Sequence, residues 1–149
     1  MRVPSEYAAD YLDQVWVRDV AQRNVVTLTS TDTLELVRSW LETRAAGTQH
    51  HGFPVVDEGG RLLGLVTRRA VEDRATPNSS TVKELLGRAP AVAFESNSLR
   101  EAADLMVTAS IGRLPVVSRS EPGKLLGIIT RTDLLTAHAR RLDEAERRR

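Results

Sequence analysis

An α/β fold made of two related halves is predicted by three observations. Gly52-Phe53-Pro54-Val55-Val56, a turn at Asp57 to Arg61, and Leu62-Leu63-Gly64-Leu65-Val66-Thr67-Arg68-Arg69-Ala70 read as strand, turn, strand and helix start. The same phrase returns as Gly112-Arg113-Leu114-Pro115-Val116-Val117, the turn Glu121-Pro122-Gly123-Lys124, and Leu125-Leu126-Gly127-Ile128-Ile129-Thr130-Arg131-Thr132-Asp133. Each phrase is preceded by a β-branched run and an amphipathic helical pattern at a nearly fixed offset: 65 positions for Val17/Val82 and Leu34/Leu99, 63 for Thr67/Thr130 and 61 for Pro54/Pro115. A repeat of this length is too long for a stacking solenoid. It suits two halves related by a pseudo-twofold axis, each a small sheet packed by helices.

In chain order, Tyr7, Tyr11 and Leu12 at helical spacing predict a lead-in helix over Pro4 to Gln14, and Val15 to Val17 lead into a single helical turn over Arg18 to Ala21. Val25-Val26-Thr27-Leu28 reads as a strand. Asp32 followed by Glu35 predicts an N-cap, Leu34, Val37, Leu41 and Ala45 the apolar stripe of a helix, and Gly47 its end. After the first hairpin, Arg68 to Arg74 reads as a brief helix, and Ala75 to Ser80 as a turn-rich linker between the repeats. Thr81 to Leu86 restates the first helical turn and Ala91 to Phe94 the first strand. Ser98 with Glu101 forms a capping box before a stripe of Leu99, Ala102, Ala103, Met106 and Ala109. The resulting organisation is a lead-in over 1–16, repeats over 17–75 and 81–139, a linker over 76–80, and an Arg-rich helix or tail over 140–149.

Composition bounds the class. The 149 residues carry a net charge of +1, so no global field favours nucleic acid, and basic residues concentrate from Arg140 onward. With no cysteine, disulfides and thiolate metal sites are excluded, and a reducing cytoplasm is compatible. No apolar run approaches the roughly 20 residues that span a bilayer, so the chain is expected to be soluble. Adjacent His50 and His51 diverge and lack a third clustered ligand, which argues against a metal site. Gly59-Gly60 is a hairpin turn rather than a phosphate loop, because no Gly-Lys-Ser/Thr follows. No nucleophile–base–orienter set or paired-carboxylate arrangement appears, and an enzyme is not expected.

The order strand, helix, strand, strand, helix, written twice with these phrases from about Val17 to Ala139, resembles a tandem pair of CBS motifs, the regulatory Bateman module. The resemblance implies a non-catalytic sensor that binds an adenine nucleotide (ATP, ADP or AMP) reversibly, with no tightly bound cofactor, in clefts between the halves. It also implies twofold homodimers formed through flanking helices, Leu99 to Ala109 being the clearest apolar face. Gly-Phe-Pro-Val-Val in the first copy, Gly-Arg-Leu-Pro-Val-Val in the second and the closing Arg-rich helix are most similar to the cytosolic tails of ClC-type chloride channels and transporters. A free-standing cytoplasmic energy sensor acting on a separate partner, and a structural dimerisation module with vestigial pockets, are the alternatives.

Asp133 stands where a strand ends and a helix begins. Its carboxylate can accept two hydrogen bonds from vicinal ribose hydroxyls while Thr130, Thr132 and the first-turn N–H groups face phosphate oxygens; the same position also reads as a helix cap. The resemblance places the adenine against Val25 and against His50, His51, Gly52, Phe53 and Pro54, with His50 as a stacking surface. The counterpart of Asp133 in the first copy is Ala70, which accepts nothing, so the two halves are expected to be unequal.

Overall fold

In the computed structural model, which describes residues 11–87 and 90–147, two compact units exchange their opening segments. The first unit gathers the chain up to Arg23, Ala91–Pro122 and the chain from Leu126 on; the second holds Asn24–Pro90 with Gly123–Leu125. Both mix small sheets with helices, the predicted class. The elements are α1 (Val17–Val20), β1 (Leu28–Thr29), α2 (Leu34–Glu42), β2 (Gly52–Val56), β3 (Leu62–Thr67), α3 (Arg68–Glu72), a 3₁₀ turn (Val82–Leu85), β4 (Ala93–Phe94), α4 (Leu99–Ala109), β5 (Arg113–Val117), β6 (Leu125–Thr130) and α5 (Arg131–Arg147). The sheet orders are β1-β2-β3 and β4-β5-β6. Of the predicted lead-in helix, residues 11–14 are helical and the part before them lies outside the described residues.

The exchange is tied down by matching backbone hydrogen bonds. In the first unit Val17 N–H donates to Asn97 O at 2.8 Å, Arg18 N–H to Glu95 O at 3.2 Å, and Leu99 N–H to Val15 O at 2.9 Å. In the second, Val82 N–H donates to Asp32 O at 2.9 Å, Lys83 N–H to Ser30 O at 3.0 Å, and Leu34 N–H to Ser80 O at 2.8 Å. Val17 joins a core of Ala93, Leu99, Met106, Leu114, Val116 and Ile129, and Val82 a core of Leu34, Val37, Phe53, Val55 and Val66. Each repeat's first turn therefore completes the other repeat's core.

The first strands are shorter than their β-branched runs suggest. β1 pairs parallel with β2 only at Leu28↔Val55 and Thr29↔Val56, and β4 with β5 only at Ala93↔Val116 and Phe94↔Val117. Val56 O accepts from Ser30 N–H and Val117 O from Glu95 N–H, so these residues face the first strand. Two positions back along the pleat, Pro54 and Pro115 face the same edge with no N–H to donate, and the ladders stop. Val25 to Thr27 and Ala91 to Val92 consequently lie outside the sheets.

Helix boundaries also differ from the sequence reading, and α3 stops at Glu72 rather than Arg74. Thr33, not Asp32, caps α2 by accepting from Leu36 N–H at 3.2 Å, because the Asp32 carboxylate turns back to Thr29 N–H at 3.2 Å. α2 ends at Glu42 rather than at Gly47, its exit made by Arg44 at φ 57°; Gly47, at φ 90°, serves the following loop instead, where a Cβ would lie 2.7 Å from Val26. Leu99, Ala102 and Met106 of α4 are core residues, which corrects their assignment to an exposed apolar face, and Ala109 lies off the core. Beyond 139 the chain continues in α5 to Arg147, with no separate tail among the described residues.

The turn-rich stretch after α3 is fastened rather than loose. Arg38, 5% exposed, donates from Nε to Val71 O at 2.8 Å, from Nη1 to Asn78 Oδ1 at 2.7 Å, and from Nη2 to Asp73 O at 2.8 Å and Thr76 O at 2.9 Å. Arg38→Met would leave these acceptors unpaired and is expected to cost about 3 kcal/mol of unfolding free energy, read from urea denaturation; a loss under about 0.5 kcal/mol would contradict the clamp.

The Ser98 capping box predicts a pH effect. Ser98 N–H donates to Glu101 Oε1 at 2.9 Å, and this backbone hydrogen bond holds the Glu101 carboxyl below its ordinary 4.5. A lowered folded-state value gives stability that is present above the unfolded value and lost as pH falls through the folded one. The small difference in denaturation midpoint between the native chain and Glu101→Gln should therefore be full at neutral pH and close below pH 4.5; a gap that widens in acid would refute it.

Candidate functional site

The strand-to-helix junction of the first unit carries the most developed polar constellation. Thr130, the last residue of β6, is buried, and its Oγ1 accepts from Asp133 N–H at 3.1 Å while Asp133 Oδ2 accepts from Thr130 N–H at 2.9 Å. This reciprocal pair is a helix cap at the start of α5. The capping reading of Asp133 is thus realised, and it uses one carboxylate oxygen. The other, Oδ1, accepts from Gln22 Nε2 at 2.9 Å.

Gln22 is brought there by backbone geometry. Its N–H donates to Ile128 O and its carbonyl accepts from Ile128 N–H, both at 2.9 Å. A Cβ at Gly127 would lie 2.6 Å from Gln22 O, so glycine is required for the approach. Arg131 N–H donates to Gly112 O at 2.8 Å, and its guanidinium lies against Gly112. Arg113, half-buried at the start of β5, has its pKa lowered by burial, an effect that the Asp133 carboxylate only partly offsets. Thr132 is exposed on the first turn of α5.

The second unit repeats the scaffold without these side chains. Thr67 Oγ1 accepts from Ala70 N–H at 3.1 Å and Arg68 N–H donates to His51 O at 2.8 Å, matching the bonds of Thr130 and Arg131. In repeat register Asp133 falls on Ala70, Gln22 on Gly87 and Arg113 on Gly52. Arg68 is spent on Glu72, at 3.3 Å, and on Thr48 O. An open cavity of ≈ 680 Å³ is lined by His51, Arg68, Arg69, Glu72 and Asp73, a mixture of charge signs that favours no single anion.

The structure places Thr130, Thr132 and Asp133 in the first unit and Val25, His50, His51, Gly52, Phe53 and Pro54 in the second. Within the second, the Phe53 ring is wholly buried, edge-on to Trp40 at 5.6 Å and to His50 at 6.3 Å between centroids. Its ring belongs to the core; Gly52 and Pro54 are buried in β2 beside it. Val25 and His50 are half-buried, and His51 is exposed. Sequence reasoning gave no role to Gln22 or Arg113. The signal was available in the register: both fall opposite glycine, as Asp133 falls opposite alanine.

Two small sheets of matching order, each flanked by helices, with a Thr-capped helix leaving the last strand of each, define a tandem α/β repeat protein. The CBS domain signature matches residues 17–74 and 82–140, and the chain belongs to the CBS domain family as a tandem pair. It is similar to protein MJ1225 of Methanocaldococcus jannaschii (34% identical, over 80% of this chain and 41% of that protein) and to the inosine-5'-monophosphate dehydrogenase of the same organism (32%, over 78% and 22%). The chain thus spans less than half the length of these relatives. Among solved structures, the cytosolic domain of the Mg2+ channel MgtE in complex with ATP is similar, with a TM-score of 0.71 and 26% identity over 91% of this chain and 53% of that one.

Removing the cap has a calculable effect. Asp133→Ala should lower unfolding free energy by about 1 kcal/mol with the fold retained, measured by thermal or urea unfolding. A loss of several kcal/mol would show that Asp133 supports more than one helix end.

Proposed function

We propose that this CBS pair is a non-catalytic regulatory module that binds an adenine nucleotide reversibly, with the ribose held at Asp133. The observation that carries the reading is the Asp133 carboxylate at a strand-to-helix junction: Thr130 N–H holds one oxygen, and the other meets the amide of the exposed Gln22 side chain. Vicinal hydroxyls are donors spaced for a carboxylate, and the first-turn N–H groups of α5, together with Arg113 and Arg131, supply positive potential for the phosphates. ATP in the related MgtE domain supports the ligand class.

The resemblance in sequence assigns the base to Val25 and to His50 to Pro54, with His50 offering a ring and the strand its backbone edge. His50→Ala should weaken nucleotide binding by about 1 kcal/mol, the scale of one stacking contact, and leave it insensitive to chelators. An unchanged affinity would remove His50 from the site.

Two contexts fit a module of this kind: the cytosolic tail of a ClC-type chloride transporter, on the strength of the Gly-Phe-Pro-Val-Val and Gly-Arg-Leu-Pro-Val-Val phrases, and a free-standing sensor of a separate partner. No helix among the described residues is long and apolar enough to cross a membrane. Self-association belongs to the proposal, through Val107, Leu135 and Leu142, which are 81%, 65% and 53% exposed; light scattering at tens of micromolar should give twice the chain mass, and a monomer there would refute it.

Calorimetric titration with ATP, ADP and AMP decides the function. One site per chain is expected, lost in Asp133→Ala. The second unit lacks the carboxylate, and two charge-assisted hydrogen bonds at roughly 1.5 kcal/mol each correspond to about a hundredfold weaker binding. Two equal sites, or full binding by Asp133→Ala, would place the ribose elsewhere; no heat with any nucleotide would favour a purely structural dimerisation module.

A further inference from the structure

The Gln22–Asp133 hydrogen bond is a contact of the Asp133 carboxylate that the helix cap does not explain. Asp133 needs no second holder, because Thr130 N–H already fixes its carboxylate at 2.9 Å. Gln22 Nε2 meets the remaining oxygen, Oδ1, at 2.9 Å. That oxygen is the one a ligand hydroxyl would take. Gln22 is exposed, so its side chain can leave for water at little cost, while its backbone stays locked to Ile128 by two hydrogen bonds and cannot drift away. Gly127 is the only residue type that lets this backbone come so close.

The repeat provides an internal control. At the matching positions of the second copy stand Gly87 and Ala70, so the acceptor and its amide partner are absent together. Resting on the ribose reading above, we propose that Gln22 is a built-in competitor: its amide occupies Asp133 Oδ1 in the empty site and must swing out when a ribose diol binds.

The competitor sets both affinity and selectivity. A ligand with two adjacent hydroxyl donors repays the displaced amide, whereas one with none leaves Gln22 in place. Removing the amide therefore helps only diol-bearing ligands, and the gain is the size of one exposed neutral-to-charged hydrogen bond, reduced by solvent.

The test titrates the full chain with AMP and with 2',3'-dideoxyadenosine monophosphate, in the native protein, Gln22→Ala and Asp133→Ala. Gln22→Ala should bind AMP about threefold more tightly and leave the dideoxy compound unchanged. Weaker or equal AMP binding by Gln22→Ala, with Asp133→Ala still defective, would overturn the competitor and leave the ribose site standing. AMP binding indifferent to Asp133→Ala, or absent altogether, would overturn both. A second readout uses the native chain alone: the Gln22 side-chain amide resonances should move when AMP is added. Resonances that ignore the addition would also overturn the competitor.

Discussion

The constraint on which both units depend is the burial of Val17 and Val82 in cores built by the other repeat. Both are 0% exposed. Fully burying a valine contributes on the order of 1.5 kcal/mol or more, and each is flanked by backbone hydrogen bonds that occur at equivalent positions in both units. Neither repeat can satisfy its own sheet: the first turn it begins with lies in the other unit, and the turn that completes its core arrives from the other's sequence. Each repeat's core therefore includes a turn that the other repeat supplies.

That reciprocity gives two scaffolds of the same plan, on which chemistry can diverge without changing the backbone. Thr67 and Thr130 cap their helices alike, and Arg68 and Arg131 donate alike to His51 O and Gly112 O. The side chains set on these matching bonds differ. Gln22, Arg113 and Asp133 gather at one junction, where the other carries Gly87, Gly52 and Ala70. One scaffold presents acceptors and charge; the other presents backbone and a cavity of mixed sign.

Much of this was legible in the sequence, and the misses share physical causes. The hairpins, the Ser98–Glu101 box and the Asp133–Ala70 inequality follow from local residue chemistry, which a single chain displays directly. Strand lengths did not follow, because β-branched runs at Val25 and Ala91 signal propensity, while the ladder is limited by Pro54 and Pro115 on a different strand. Asp32 and Thr33 are both good caps, and the choice fell to which neighbour needed the carboxylate: Thr29 N–H took it. The exchange of first turns and the approach of Gln22 to Asp133, 111 positions away, are long-range facts with no local signature. The apolar stripe of α4 was recognised, but the sequence does not say whether such a stripe meets its own core or a partner; here Leu99, Ala102 and Met106 meet their own core.

The central claim is that two equivalent scaffolds carry one ligand site, centred on Asp133. Residue-resolved NMR of the labelled chain under addition of AMP tests it most directly. The account predicts saturable shifts at Gln22, Arg113, Thr130 and Asp133, with Ala70 and Gly87 unmoved at concentrations that saturate the first group. Shifts of equal size and equal midpoint at both sets, or at Ala70 and Gly87 alone, would contradict it.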